Sequence, residues 1–495
     1  MPPLPIRSLL SGSLIYGLGG VLSKVIPLLL LPLYTAHLAP ADYGVVSLLQ
    51  LSGSFLSSVL TFGFGTSVGV LYFPENSESG RERIIASAFW VLLISAFAMA
   101  GSVILLAPGI GQLLFDSAVY TTHVALAGAA TALSMIAQPL QLRLQFAQRP
   151  VQYVAATLSS VVVTAGVGVA AVIWGEMGAL GLVWAWVVGQ ASLVIVLSIP
   201  NRSIFHLAWV RNVVRELLRN GWPMIPSFFF LFVIQEGVRY PLQWFVGLEA
   251  VGVYAIGASL GMGLGVFTNA FISAWTPFAL SYASDATRAP AVLGRVTYAY
   301  IVVFGLAVVA AFYFAYPVVY LLVEPRFFGA APVVGLCAGA SYFSALFLML
   351  LPPAYFAREP QCVTRVQALS AVVASVLAAM LIPRFGAVGA GLAVVLSTLS
   401  MAVFQYLWNV VMRRDAYVQI IYPRTRIVLY LLFVAGLGLA AWPMMNAFHG
   451  REWSVAVAVV ASAAAVALIG FLGPGELRAL RDLLAKRRAV QESTD

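Results

Sequence analysis

The 495-residue chain is 61% hydrophobic and only 9% charged, with a mean hydropathy of +0.95, which excludes a soluble domain. Its net charge of +9 marks no nucleic-acid surface, because such a surface needs Lys and Arg clustered on a solvated face. The cations read instead as topology signals.

A helix crosses the hydrocarbon core in about 20 mostly apolar residues. By that measure the chain is an all-α integral membrane protein with fourteen expected spans, at 9–36, 44–72, 84–106, 120–142, 151–174, 177–199, 222–246, 251–279, 297–322, 330–356, 364–383, 386–411, 427–447 and 453–473. Barrel strands are excluded, since they alternate over about ten residues whereas these runs are longer and apolar on every face. MPPLPIRSLL leads into the first run without a small-residue cleavage site, so no signal peptide is expected. Alternate loops carry the basic residues: of the 27 Lys and Arg, only Arg326, Arg384 and Arg451 fall in the opposite loops, and Lys24 and Arg239 fall inside spans. The positive-inside rule then puts both termini in the cytoplasm.

In chain order, the first span carries Lys24 near its middle and prolines at 27 and 32. The fourth holds Gln138 and Gln141 and ends at Arg143 and Arg149, which either attract an anion entering from the cytoplasm or act only as topology determinants near an anionic membrane surface. The seventh places Glu236 three residues before Arg239 on one helical face, close enough to pair, with prolines at 223, 226 and 241. Charges inside a span are costly and mark a functional site by default. The plain alternatives are a lysine neutralised by an acid on another helix, and a pair that snorkels to the headgroups. Asn269 in the eighth span and Gln190 and Gln405 elsewhere add amides, and Trp184, Trp186, Trp244 and Trp275 add aromatic faces that serve either ligand contact or the interfacial belt. The two cysteines, Cys337 and Cys362, read as packing residues. The closing LRALRDLLAKRR reads as a basic surface helix.

The chain also repeats. PADYGVVS aligns with LEAVGVYA, placing Gly44 on Gly252, and GALG at 178–181 aligns with GAVG at 386–389; both pairs stand 208 residues apart. The expected organisation is therefore an N-lobe of six spans over 1–200, an amphipathic cytoplasmic linker over 201–221, a C-lobe of six spans over 222–411, a helix hairpin over 412–473 and a basic cytoplasmic tail over 474–495. An even number of spans per half gives parallel repeats about an axis along the membrane normal. Such lobes suit transport by alternating access, with the prolines either permitting motion or fixing static kinks.

The runs LPLYTAHLAPADYG, NGWPMIPSFFF, VRYPLQWFVGLEAVGVYAIG and NAFISAWTPFAL resemble polysaccharide-transport flippases of the multidrug/oligosaccharidyl-lipid/polysaccharide (MOP) superfamily, from about residue 8 to 411. Members often have an Asp immediately before the Arg of the seventh span; here that position is Val238 and the acid is Glu236. The resemblance implies movement of undecaprenyl-pyrophosphate-linked oligosaccharide across a bacterial inner membrane for assembly of a surface polysaccharide such as O-antigen or exopolysaccharide. It places the pyrophosphate at Lys24, with Arg239, Glu236, Gln138, Gln141 and Asn269 in the cavity and Arg143 and Arg149 at the cytoplasmic entrance. It also implies a coupling ion, H+ or Na+, or the membrane potential, and polymerase or export partners, with no cofactor and no metal. Glu236 exchanging between Arg239 and Lys24 as the lobes rock is a further expectation.

An enzyme would need a metal-ligand cluster or paired carboxylates in a soluble loop, and the sequence offers neither; it also has no P-loop for ATP-driven transport. The alternatives kept open are a multidrug or cation exporter and a lipid II flippase of the same superfamily.

Overall fold

In hydrocarbon each backbone N–H and C=O must be satisfied within its own segment, so apolar runs of this length fold as helices. The computed structural model describes residues 6–206, 209–282, 288–356, 361–411, 424–447 and 453–470, and among them there is no strand. Among the described residues ten helical stretches are long and apolar enough to cross a membrane, or eleven if one bent pair counts as a span. The all-α expectation therefore holds over the described residues. The expected basic tail at 474–495 lies outside them.

The chain divides into two compact units, Met1–Ala255 and Ile256–Asp495. The first contains α1 (Ile6–Leu29), α2 (Leu31–His37), α3 (Pro40–Leu60), α4 (Phe64–Tyr72), α5 (Glu78–Phe115), α6 (Thr121–Phe146), α7 (Pro150–Val169), α8 (Gly178–Ser198), α9 (Arg202–Phe205), α10 (Arg211–Gly221), α11 (Ile225–Gln235), α12 (Arg239–Phe245) and the start of α13 (Leu248–Gly261). The second continues with α14 (Gly263–Ser281), α15 (Ala289–Leu322), α16 (Ala331–Met349), α17 (Pro352–Phe356), α18 (Gln361–Val411), α19 (Arg424–Ala447) and α20 (Trp453–Gly470).

Proline explains the breaks. α1 gives way to α2 at Leu30, where Pro27 and Pro32 supply no N–H to the helical ladder. α11 and α12 are likewise separated at 236–238, because Pro241 leaves the Gly237 carbonyl without its helical donor. The stretch between α8 and α11 opens on the short helices α9 and α10. α10 buries Leu217 and Gly221 while Arg211, Arg215, Glu216 and Arg219 are exposed, which is the amphipathic pattern expected for 201–221.

The internal repeat is written into the backbone. Gly178 and Gly386, equivalent in the alignment, both take φ of +55°, a left-handed conformation that glycine adopts without a Cβ clash. At Gly386 the chain inside α18 leaves helical geometry and turns back, bringing the Leu381 carbonyl against Gly389. The second pair of equivalent glycines meets reciprocally. Gly44 lies against the Leu248 carbonyl and Gly252 against the Pro40 carbonyl, so the start of α3 and the start of α13 pack backbone to backbone. Each contact is the other shifted by the repeat, and a Cβ at either position would collide with backbone.

Asp42 fixes the start of α3 through Ala39 N–H, 2.9 Å from Oδ2, and its Oδ1 reaches the Ala179 N–H at the start of α8. A carboxylate is favoured there by the positive ends of two helices. In the second unit α16 forms the centre: 78% of the apolar window in Pro325–Phe356 is buried. The Tyr300 and Tyr342 rings stack 5.6 Å apart, and each hydroxyl donates to a carbonyl across the α15–α16 contact, Tyr300 to Tyr342 O and Tyr342 to Ile301 O. α19 is held to α15 by Tyr430, whose hydroxyl donates to Val302 O at 2.6 Å while its ring rests on Gly305.

Candidate functional site

The first unit gathers most of the sequence-derived candidates. Only 12% of the apolar window of Ile15–His37 is buried, so α1 is the most openly placed of the apolar spans. Gly17 and Gly20 have no heavy atom within 4 Å of where a Cβ would stand, whereas Gly19 presses on Val154 and seats α1 against α7. Lys24 is exposed on this helix. Among the described residues two ion pairs form, and Lys24 is in neither.

Glu236 and Arg239 do pair, at 3.0 Å between Oε2 and a terminal guanidinium nitrogen, with the side chains 29% and 15% exposed. The pair sits at the break between α11 and α12, where Pro241 has removed the regular ladder. Its other supports are few: the guanidinium lies 5.8 Å from the Tyr254 ring, and Arg239 Nε is buried without an acceptor. Next to it the Tyr240 and Ser52 hydroxyls meet at 3.0 Å, joining α12 to α3. Phe232 on α11 packs on Phe55 of α3 at 4.7 Å between centroids.

Arg143 is held by several neighbouring groups. It ends α6, where a cation complements the helix C-terminus. Its guanidinium reaches Glu82 Oε1 at 2.5 Å, and it also donates to Pro200 O, Asn201 Oδ1 and Ser203 Oγ. Glu82 accepts from Ser203 too, and Asn201, fully buried, donates to Leu197 O and Leu140 O. The ends of α5, α6 and α8 are thus tied through one arginine. Arg149, by contrast, is exposed at the start of α7.

These residues border two cavities. One, of about 400 Å³, is lined by Tyr72, Asn76, Arg81, Glu82, Arg143 and Arg149 together with Gln148. Arg81 is aimed there by its Nε–H bond to Glu75 O and lies over the Tyr72 ring. The loop carboxylate of Glu75 accepts from Ser77 N–H and Oγ–H, which holds it below its ordinary range and secures Ser77 as the N-cap of α5. The other cavity, of about 510 Å³, lies between α1, the end of α6 and α7 and is lined by Tyr16, Ser23, Gln145, Gln148, Tyr153 and Thr157 among others.

The amides are spread out. Gln138 and Gln141 are half-buried on α6, and Gln138 Oε1 is buried with no donor. Asn269 belongs to the second unit, exposed on α14, where its carbonyl accepts from Ser273. Gln405 is fully buried and donates to Asn409, which anchors on Leu350 O, a packing role. Trp275 is buried, whereas Trp184 and Trp244 are exposed. Sequence reasoning missed Tyr16, Ser23, Gln145, Gln148, Tyr153 and Thr157. The signal was present in part: Tyr16, Gly20, Ser23 and Lys24 follow the i, i+4, i+7, i+8 spacing of one helical stripe.

Residues 9–282 match the family model described as "Polysaccharide biosynthesis protein". A search of curated proteins gives no match. Among solved structures, the chain is similar to the inward-facing conformation of a multidrug resistance MATE family transporter of the MOP superfamily, at a TM-score of 0.64 and 13% identity, covering 83% of this chain and 96% of that one. It is also similar to lipid II flippase MurJ in an inward closed conformation, at a TM-score of 0.66 and 9% identity, covering 92% of this chain and 98% of that one. A MATE transporter in the straight conformation superposes at 0.52 with 13% identity over 86% of this chain and 97% of its own. At these identities the likeness is one of fold.

Proposed function

The chain belongs to the polysaccharide biosynthesis protein family, and from that premise we propose that it is a flippase carrying undecaprenyl-pyrophosphate-linked oligosaccharide across the bacterial inner membrane by alternating access. In this reading the membrane is crossed fourteen times, by two lobes of six helices related by the 208-residue repeat and a closing hairpin formed by α19 and α20. Both termini are cytoplasmic.

The observation that carries the reading is Lys24. An exposed ammonium on an apolar helix, outside both ion pairs, is a site for an anion. A pyrophosphate cannot cross hydrocarbon unaccompanied, and a compact ammonium supplies charge-assisted hydrogen bonds to it. A positive residue on this helix repels a cationic substrate and favours an anionic one. Arg81 and Arg149 draw the headgroup to the entrance, and Arg143 braces the walls through Glu82 and Ser203. The Glu236–Arg239 pair, set at a proline break and thinly supported, is the element whose bonding changes as the lobes move, with H+, Na+ or the membrane potential as the driving force.

Leaflet translocation of an undecaprenyl-pyrophosphate oligosaccharide in proteoliposomes tests this. The wild type moves the lipid, and Lys24→Ala lowers the rate about tenfold or more, the effect of losing one charged contact to the substrate. Export of small cations against a proton gradient, with no movement of the lipid, would refute the reading.

A further inference from the structure

The 510 Å³ cavity between α1, α6 and α7 is not needed to hold a phosphate. None of its lining residues carries a formal charge, whereas an anionic headgroup calls for a cation in the wall and a cationic drug for a carboxylate. What the wall does carry is neutral hydrogen-bonding chemistry of mixed donor and acceptor character: the amides of Gln145 and Gln148 and the hydroxyls of Tyr16, Ser23, Tyr153 and Thr157. The volume falls within the span of about 300–1,000 Å³ usual for small-molecule clefts.

Three features point to a ligand. The Tyr16 hydroxyl is buried and has no partner, an uncommon state for a phenol, and it belongs to a residue of the wall. The Tyr16 and Tyr153 rings meet edge to face at 5.5 Å and 64°, presenting flat apolar surface beside the polar groups. Gly20 leaves open space at the wall, with nothing within 4 Å of a Cβ, while its carbonyl accepts from the Ser23 hydroxyl. A molecule that suits this surface is uncharged, rich in hydroxyls that both donate and accept, and has apolar C–H faces to lie on an aromatic ring. That is a sugar.

The surroundings fit the rest of such a ligand. Lys24 follows Ser23 directly, and Gln148, which also lines the arginine-bearing cavity, is followed by Arg149. Gln148 is held at φ of +53°, a conformation a non-glycine residue adopts at a cost, and it stands where the two cavities adjoin. Neutral and cationic surfaces are therefore contiguous, as a glycan joined to a pyrophosphate needs.

The geometry points to this cavity as the glycan subsite, receiving the uncharged sugars next to the pyrophosphate; the inference rests on the flippase reading above. Two substitutions probe it without disturbing the fold. Gly20→Leu fills the cavity where nothing stands within 4 Å of the Cβ, and leucine favours a helix. Gln148→Gly removes the amide and relaxes the left-handed backbone. Binding to the full-length chain in lipid nanodiscs is measured for undecaprenyl pyrophosphate bare and bearing a neutral trisaccharide, with thermal unfolding as the control.

Each variant is expected to weaken the glycosylated lipid about tenfold and to leave the bare lipid within about twofold, the loss being confined to contacts with the sugar. Equal losses on both lipids, or no loss on either, overturn the subsite while the flippase reading stands. A wild type that binds neither lipid overturns the flippase reading and the subsite with it.

Discussion

Two arginines of the first unit each meet one glutamate, and they are held in opposite ways. Arg143 is drawn into Glu82, Pro200, Asn201 and Ser203 at the joined ends of α5, α6 and α8, and Glu82, Asn201 and Ser203 each make a further bond of their own. Arg239 meets Glu236 across a proline-broken turn, keeps one buried nitrogen without an acceptor, and lies over the Tyr254 ring at 5.8 Å. Both look alike in the sequence as arginine with a nearby or distant acid. The difference is one of bonding: the donors of Arg143 are spent on four acceptors, and Arg239 keeps its Nε unspent.

The comparison is broken most readily at Arg143. Arg143→Ala strands Glu82 and three further acceptors, and should lower unfolding stability by about 3 kcal/mol, the upper end for losing hydrogen bonds made by a charged group, read as a fall in the midpoint of detergent-solubilised protein. Glycine packing sets the next scale: Gly252→Ala drives a Cβ into the Pro40 carbonyl and should cost about 2 kcal/mol, as overpacking does. Alanine at Gly17, where nothing is near, should cost nothing by the same assay.

Arg239→Ala should change stability by about 1 kcal/mol or less, since its pair is as exposed as that of Arg143 and is a single contact where Arg143 has four acceptors, yet reduce lipid translocation severalfold. A double-mutant cycle with Glu236→Gln then separates pairing from transport; a stability loss as large as that of Arg143→Ala would erase the contrast. The smallest effect belongs to Glu75. Its carboxyl is held below the ordinary range by Ser77, so its contribution is fully present above its unfolded value of about 4.3 and is lost as pH falls through the lowered one. Hydrogen exchange in the first turn of α5 should rise on that acid side, and Glu75→Gln should make the rise disappear.

Part of the site could be read from the chain alone. Lys24 and Arg239 stood out because a basic residue inside an apolar run is rare, and Glu236 followed from i,i+3 spacing. Arg143 was visible but its role was not, because Glu82 and Ser203 lie 61 and 60 residues away and only folding brings them to it. Tyr16 and Gln148 gave no signal as a pair, since aromatic and amide residues occur throughout the chain and nothing local says that α1 and the α6–α7 turn enclose one cavity.

By itself the sequence determined that the chain lives in a membrane, that its elements are helices, and where proline breaks them. Those properties follow from hydropathy, backbone satisfaction and ring geometry, which act within a few residues of one another. Tertiary structure alone decided that Gly44 and Gly252 meet each other's backbone, that one arginine is clamped while the other is left half-satisfied, and that neutral and cationic cavities adjoin at Gln148. Each of those depends on which helix faces which, a choice made by close packing between segments far apart in the chain.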